Sequence, residues 1–166
     1  MLEVMLVVMI LSVALLVFIQ VTSKSVVHSI ESQDSIIAAG LAQEGVELVK
    51  NIRDNNWADK KTAFALPFLD NIGYDCRISY DDATTCSYLG SNYDLKLKTD
   101  SGGEFYSHSG GSVTKFFRKI NIRKQGDTRI VTSYVIWSRP DFPALSDCNP
   151  AHKCVYATIT LTQWGE

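Results

Sequence analysis

The chain opens with a nearly unbroken run of apolar residues. Val4 to Ile19 reads VMLVVMILSVALLVFI, in which Ser12 is the only polar residue. As a helix this run rises about 24 Å, a little less than the roughly 30 Å hydrocarbon core of a bilayer. With the apolar residues that flank it, the run reaches a marginal single span. Residues 1–23 are therefore predicted to form an apolar helix that is buried either in lipid or in copies of itself.

A cleaved secretory signal is the alternative interpretation of this run. Such a signal begins with Lys or Arg, whereas the only charge ahead of residue 24 is Glu3. The helical pattern also continues past Thr22 and Ser23 instead of breaking at a cleavage site. We therefore expect the helix to be retained. Glu3 itself has two open interpretations, an acid at the lipid headgroup boundary or an acid that pairs with a charge from another molecule.

Residues 24–56 continue as an amphipathic helix. Apolar residues recur there at helical steps, namely Val27, Ile30, Ile37, Leu41, Leu48 and Ile52. Gly40 and Gly45 each cost about 1 kcal/mol in a helix relative to Ala, which is tolerable where another element packs closely. One helix from about Leu2 to about Asn56 is predicted.

Residues 57–166 are predicted to form a globular β-sheet domain, because short alternating runs replace the helical period. The predicted strands are Cys76–Tyr80, Tyr93–Lys98, Val113–Lys124, Thr128–Arg139 and Val155–Trp164. The third and fourth form a hairpin through Gly126, which can adopt the positive φ of a tight turn. In the last strand apolar residues alternate with Thr and aromatic residues. One face of the sheet is therefore expected to pack against another element and the other to face solvent. With the helix as the cover, the fold class is α+β.

The four cysteines, Cys76, Cys86, Cys148 and Cys154, allow three disulfide connectivities. Local pairing, Cys76 with Cys86 and Cys148 with Cys154, is favoured because each bridge closes a polar loop with little apolar content. These spacings do not match the paired knuckles of a zinc site, so His152 is not expected to bind metal. An even cysteine count behind an apolar segment suggests an oxidising, extracytoplasmic location.

Composition and motifs narrow the class of protein. The 166 residues are 46% apolar and 20% charged, with a formal net charge of −2. This balance excludes a disordered tail, a coiled-coil rod and a polybasic nucleic-acid module as descriptions of the whole chain. The sequence holds no phosphate-binding loop, HExxH motif or dinucleotide fingerprint, so we expect no enzymatic activity and no cofactor.

Two polar stretches are weighed as possible sites. Ser107-His108-Ser109 is interpreted as a polar surface loop, because it lacks the GxSxG context of a nucleophile elbow. The acids Asp81, Asp82, Asp100 and Glu104 lack the alternating oxygen ligands of an EF-hand, so no calcium site is expected there.

The predicted hairpin carries six basic residues against one acid, Asp127: Lys115, Arg118, Lys119, Arg123, Lys124 and Arg129. Such a patch can bind DNA phosphates or an acidic cell surface. The interpretation we favour is a solvated strand face or an electrostatic match to an acidic neighbour in a polymer. Residues 70–104 supply that acidity, with seven acids against three basic residues.

Two segments of the chain resemble the type IV pilin and pseudopilin family. Met1-Leu2-Glu3-Val4-Met5-Leu6-Val7-Val8 is similar to the mature N-terminus of these proteins, where a glutamate near the start precedes a long apolar run. Residues 41–57 are similar to the end of their long first helix. If Glu3 is that glutamate, a leader and two mature residues are expected to precede Met1.

The resemblance implies a pilin-like fold, with a long N-terminal α-helix whose apolar half projects and whose C-terminal half packs on an antiparallel sheet. Residues 1–23 would be a membrane anchor before assembly and the filament core afterwards. The residues expected at subunit contacts are Glu3, Val4, Leu6, Val7, Ile10, Leu11, Leu15 and Phe18. The Glu3 carboxylate would pair with the N-terminal amine of an adjoining subunit, and a Cys148–Cys154 bridge would bound a surface loop.

The expected function is that of the major structural subunit of an extracellular type IV pilus, serving adhesion or twitching motility. Its expected partners are identical copies, the inner membrane before assembly, prepilin peptidase, the pilus assembly machinery and a host or neighbouring cell surface. Nucleic acid is the weaker expectation. The alternatives are a minor pilin or pseudopilin of a pilus, competence or type II secretion system, and a membrane-anchored module that binds DNA or a cell surface.

Overall fold

The computed structural model of the chain describes residues 1–59, 64, 74–87, 93–138 and 141–162, without the side chains of residue 74 and residues 82–87. It contains one long N-terminal helix and a curled antiparallel sheet of seven strands. The α+β fold class with a pilin-like architecture is therefore confirmed. The predicted strand ends at Arg139 and Trp164 lie outside the described residues.

The helix α1 runs Leu2–Ala58 without interruption and ends two residues later than predicted. The chain divides into two units, Met1–Asp34 and Ser35–Glu166. The first unit consists of helical turns alone, and residues 1–33 are all exposed. The second unit holds the last turns of α1 and the whole sheet.

The seven strands pair in antiparallel fashion throughout. They are β1 Tyr74–Ser79, β2 Asp82–Ser87, β3 Asp94–Asp100, β4 Gly103–Ser107, β5 Ser112–Gln125, β6 Thr128–Trp137 and β7 Cys154–Leu161. One edge of β5 pairs with β1 and β3, which pair in turn with β2 and β4. The other edge of β5 pairs with β6, and β6 pairs with β7. Each of the other strands therefore pairs either with β5 or with a strand that pairs with β5.

The predicted hairpin is present between β5 and β6. Gln125 lies opposite Thr128, so Gly126 and Asp127 form a two-residue turn. Gly126 has φ +57°, a conformation that residues with a side chain rarely adopt. The turn thus fixes the register of the two longest strands.

The core of the second unit lies between the last turns of α1 and the inner face of the sheet. The helix contributes buried residues at Ala38, Leu41, Ala42, Val46, Leu48, Val49 and Ile52. One cluster joins Val49 to Ile120 and Val131, and another joins Leu41 to Leu95 and Trp137. Burying a large apolar side chain stabilises a fold by about 1.5–3 kcal/mol, so packing, more than helix propensity, holds these turns.

The buried stripe of the helix is shorter than the sequence pattern indicated. Leu41, Leu48 and Ile52 are buried as predicted, whereas Val27, Ile30 and Ile37 are exposed by 40% or more. Burial of apolar helix residues begins at Ala38, within the second unit. The apolar residues of the helix that precede Ala38 therefore remain exposed in this chain.

Gly45 marks the closest approach of the helix to the sheet. A Cβ added there would lie 2.8 Å from Ile120 Cδ1, 3.1 Å from Arg118 Cδ and against Ser133 Oγ. The close packing that makes a helix glycine tolerable is therefore present at Gly45. A Cβ at Gly40 would meet no atom of the described residues within 4 Å, so the sheet does not supply such packing there.

Two strands were missing from the sequence prediction. β2 and β4 have only six and five residues, and their sequences, DATTCS and GEFYS, show no apolar alternation. By contrast, the alternation in β7 is confirmed, because residues 155, 157, 159 and 161 are less exposed than residues 156, 158 and 160. Short polar strands are defined by their partner strands, and a local pattern cannot reveal them.

Candidate functional site

The residues expected at subunit contacts form an exposed apolar helix surface in the first unit. Exposure of their apolar side chains runs from 51% at Leu6 to 68% at Phe18. The set, with Glu3, is Val4, Leu6, Val7, Ile10, Leu11, Leu15 and Phe18. Mean hydropathy reaches 3.0 over 18 residues, and none of this window is buried, so the helix is long and apolar enough to cross a membrane.

Two hydroxyl groups within this surface donate hydrogen bonds to carbonyl groups of their own helix. Ser12 Oγ donates to the Val8 carbonyl at 2.6 Å, and Thr22 Oγ1 donates to the Phe18 carbonyl at 3.0 Å. A hydroxyl that bonds back to its own helix needs no water or partner. The helix surface therefore suits an environment without water.

Glu3 is the one charge at the start of this surface. The next charged residue is Lys24, so 20 uncharged residues, Val4 to Ser23, separate the two. As a helix that stretch spans about 30 Å, the thickness of a hydrocarbon core. The structure gives Glu3 an exposed position, and its proposed pairing with another subunit stays a prediction.

The second unit contains a buried arginine that sequence reasoning assigned to the surface. Arg118 on β5 is 0% exposed. Its Nη1 lies 3.1 Å from Glu44 Oε1 and donates to the Leu41 carbonyl at 3.1 Å, while Nη2 donates to the Ile78 carbonyl at 2.7 Å. Burial lowers the pKa of Arg118, and the Glu44 charge opposes that shift. This arginine links the helix to β1 and β5.

The predicted basic patch on the β5–β6 hairpin is therefore wrong as a surface of six residues. Arg118 is buried, and Arg129 is only 4% exposed, with its guanidinium 4.6 Å from the centre of the Phe64 ring. Both lie at inward positions of the sheet, where alternation with Ile120 and Val131 places them. That alternation was the signal that could have identified them.

The remaining basic residues lie at the outer face and ends of the hairpin. Lys119 Nζ forms an ion pair with Asp75 at 3.1 Å and lies 4.9 Å from the centre of the Phe142 ring. Lys115, Arg123 and Lys124 are exposed. Because Asp75 belongs to the acidic stretch 70–104, part of the predicted complementarity between subunits is formed within one chain.

The Cys148–Cys154 disulfide is present. Both cysteines are buried, and they pack with Ile136, Phe117, Tyr134 and Phe142. The bridge closes a short loop that contains one 3₁₀ turn, Pro150–His152, and a second 3₁₀ turn, Leu145–Asp147, directly precedes Cys148. His152 Nδ1 lies 2.7 Å from the Asp147 carbonyl, so its ring is held within the loop.

Cys76 is also disulfide-bonded. The side chain of Cys86 lies outside the described residues, so its predicted pairing with Cys76 stays a prediction.

The Ser107-His108-Ser109 segment is partly buried, whereas a surface loop was predicted. Ser107 is 0% exposed and its Oγ donates to Asp81 Oδ1 at 2.8 Å, while His108 Nδ1 lies 2.8 Å from the Asp94 carbonyl. Burial lowers the pKa of His108 to about 4, and the nearby Arg118 charge acts in the same direction. These bonds join the end of β4 to the turn between β1 and β2 and to β3, and they serve packing.

Asp81 is held in a polar cluster with its neighbours. Its carboxylate lies 2.9 Å from Lys98 Nζ and accepts from Ser107. Burial alone would raise the pKa of Asp81, but hydrogen bonds from Lys98, Ser107 and Ser79 lower it to about 2. Within the described ranges no three His, Cys, Asp or Glu side chains are placed to hold a metal ion.

A cleft of about 640 Å³ lies beside α1 in the second unit. It is lined by Glu44, Tyr80, Phe105, Tyr106 and the turn 100–104 between β3 and β4. Asp100 Oδ1 accepts from the backbone of Gly102 at 2.6 Å within that turn.

No protein-family model, curated protein or solved structure matches this chain.

Proposed function

We propose that the chain is a pilin-like structural subunit that polymerises through its apolar helix into an extracellular filament of the type IV pilus kind. Before assembly the same helix would hold the chain in the inner membrane. Its partners would then be identical copies, prepilin peptidase and the assembly machinery, and the finished filament would contact a host or neighbouring cell surface in adhesion or twitching motility.

The observation that carries this proposal is the exposed apolar surface of the first unit. Twenty uncharged residues follow Glu3, and the apolar window is unburied within the chain. An apolar surface of that size is stable only in lipid or against other protein. The pilin-like α+β fold of the chain supports assembly as the function of the helix.

Polymer formation also follows from the symmetry that such a helix permits. A helix that packs against a different face of an identical helix makes a heterologous contact, and a heterologous contact that does not close generates a helical fibre. Glu3 would set the register of that contact by pairing with an amine of the adjoining subunit. An unpaired carboxylate inside an apolar filament core would be costly, so wrong registers are disfavoured.

A role as a major pilin, a minor pilin or a pseudopilin is a finer choice within the same proposal. The Cys148–Cys154 bridge fits a subunit that works outside the cytoplasm, where disulfides persist. Capture of DNA by the β5–β6 hairpin is not proposed, because Arg118 and Arg129 are buried and Lys119 is paired with Asp75.

The test is a Glu3→Ala variant in the cells that produce the chain. We expect this variant to reach the membrane in normal amount and to form no filaments. Glu31→Ala is the matched control, because Glu31 is an exposed acid on the same helix beyond the apolar run, and it should assemble normally. Normal filaments from Glu3→Ala would refute the role of Glu3 in assembly. Loss of filaments from both variants would show that the effect is not specific to Glu3.

A further inference from the structure

Among the described residues the sheet has three outer strands, β2, β4 and β7, and of these only β7 lacks the usual protection against pairing. β2 and β4 have six and five residues and carry the acids Asp82 and Glu104. β7 has eight residues, CVYATITL, with no charge and no proline. Proteins normally protect an edge with short strands, charges or proline, because its free backbone groups pair readily with other strands.

The hydrogen-bond phase of β7 shows which backbone groups are at its free edge. Trp137 N donates to the Lys153 carbonyl at 3.1 Å, which makes these two residues a hydrogen-bonded pair. Because such pairs alternate in an antiparallel ladder, residues 155, 157, 159 and 161 bond to β6. The N–H and C=O groups of Tyr156, Thr158 and Thr160 therefore point away from β6.

A second bond confirms this phase. Cys154 N donates to the Asn149 carbonyl at 3.1 Å, on the side away from β6. Among the described residues, β6 is the only strand that pairs with β7. The side chains of Tyr156, Thr158 and Thr160, which flank these edge groups, are exposed, with Tyr156 at 47%.

We propose that the free edge of β7 pairs with β7 of a second copy of this chain, antiparallel and centred on Thr158. In that register Tyr156 of each copy lies opposite Thr160 of the other, and Thr158 lies opposite its own equivalent. Each copy then offers three N–H and three C=O groups at matching positions.

The absence of charge is what favours a second copy as the occupant. Two identical charged edges would repel each other, whereas residues 154–161 are neutral. Thr–Thr and aromatic–Thr pairs are favourable across antiparallel strands, and Thr132 Oγ1 already lies 3.1 Å from Thr158 Oγ1 between β6 and β7. The edge is therefore self-complementary in backbone, charge and side-chain type.

This contact differs in kind from polymerisation through the helix. It is isologous, so it joins two copies by a two-fold axis and is complete after one pairing. If the chain forms filaments as proposed above, such a contact links subunits of neighbouring filaments into bundles. The dimer itself does not depend on the proposed function, because it needs only the second unit.

The test measures self-association of the full chain in a non-ionic detergent, which covers the apolar helix. Sedimentation velocity should show a concentration-dependent dimer in the micromolar range. Thr158→Lys places two positive charges opposite each other in the dimer. Thr158→Pro removes the N–H group of residue 158, which points away from β6, and an edge strand tolerates proline at such a position. Each variant should raise the dissociation constant at least about tenfold, the effect of roughly 1.4 kcal/mol.

Thr128→Lys is the matched control, because Thr128 lies on β6, a strand that has a partner strand on each side. The dissociation constant of this variant should equal that of the wild type. Amide hydrogens of Tyr156, Thr158 and Thr160 should also exchange more slowly in the wild type than in Thr158→Lys. A wild type that stays monomeric in detergent would overturn the proposal, as would a dimer that persists equally in both Thr158 variants. Association through the apolar helix would give a dimer that neither Thr158 variant weakens, so the experiment distinguishes it from pairing through β7.

Discussion

Arg118 Nη1 lies 3.1 Å from Glu44 Oε1, and this ion pair joins the helix to the central strand of the sheet. The two side chains differ in their surroundings, since that of Arg118 is 0% exposed and that of Glu44 is 36% exposed. The arginine therefore depends on its partner and on two backbone carbonyls for compensation of its buried charge. The interface between helix and sheet is held by this polar contact as well as by apolar packing.

Removal of Glu44 should destabilise the second unit. We expect Glu44→Ala to lower the free energy of unfolding by about 2–3 kcal/mol, because it leaves the buried guanidinium without its counter-charge, while water at the Glu44 position offsets part of the loss. Chemical unfolding of the full chain in non-ionic detergent, followed by the fluorescence of buried Trp137, measures this change.

Glu47→Ala is the control for that substitution. Glu47 is also a helix acid, but it pairs with Lys50 at the surface, where its side chain is 65% exposed. Surface ion pairs contribute about 0–1 kcal/mol, so the expected change is small. An equal loss of free energy of unfolding in both variants would show that the Glu44–Arg118 pair contributes no more to stability than a surface ion pair does.

The two helix glycines should respond in opposite directions to the same substitution. Gly45→Ala would press a methyl group against Ile120, Arg118 and Ser133, and we expect it to destabilise the fold by about 1–3 kcal/mol. Gly40→Ala meets open space and should stabilise the helix by about 0.5–1 kcal/mol. The same unfolding experiment compares them, and a stabilised Gly45→Ala would contradict the close helix–sheet contact.

His108 should make stability depend on pH below neutrality. Burial lowers its pKa from 6.5 to about 4, so between these values the unfolded chain binds a proton that the folded chain does not. Stability should therefore fall as the pH drops from about 6.5 to about 4, by up to about 3 kcal/mol.

Unfolding midpoints from pH 7 to pH 4 measure this dependence, and His108→Leu should flatten it. His152→Gln removes an exposed histidine and should keep the wild-type dependence. The lowered pKa of Asp81 acts at lower pH, between about 4 and 2, where protonation of its carboxylate in the unfolded chain adds a further loss. A His108→Leu curve parallel to the wild type would contradict the burial of an uncharged ring.

The disulfide pattern can be read from the oxidised chain by peptide mapping. We expect one linked peptide pair that contains Cys148 and Cys154 and a second that contains Cys76 and Cys86. A Cys148→Ser/Cys154→Ser variant should lose about 2 kcal/mol, since the loop between these residues is short. Any peptide that links Cys76 to Cys148 or Cys154 would contradict the local pairing.

The parts of the fold that the sequence predicted well are those with long, regular patterns. The helix was placed to within two residues at its C-terminal end, and β5, β6 and β7 were found because apolar residues alternate over eight residues or more. β2 and β4 were missed because their short polar sequences gain their structure from β1 and β3. Strand pairing of this kind is a long-range property.

The wrong prediction of a six-residue basic surface has one physical cause. It treats the charges of the β5–β6 hairpin as one surface, although alternate residues of a strand point to opposite faces. Arg118 and Arg129 share the phase of Ile122 and Val131 and are therefore inside. The partners that make this burial tolerable, Glu44 and the Leu41 and Ile78 carbonyls, are distant in sequence and could not be inferred locally.

The central claim is that many copies of this chain stack through residues 1–23. Electron microscopy of material sheared from the surface of the producing cells, with mass spectrometry of its main polypeptide, tests this most directly. We predict thin filaments composed mainly of this chain, with the Val4–Ser23 helices packed at the centre. A membrane that contains the chain only as single, separate molecules, with no filaments at the cell surface, would contradict the claim.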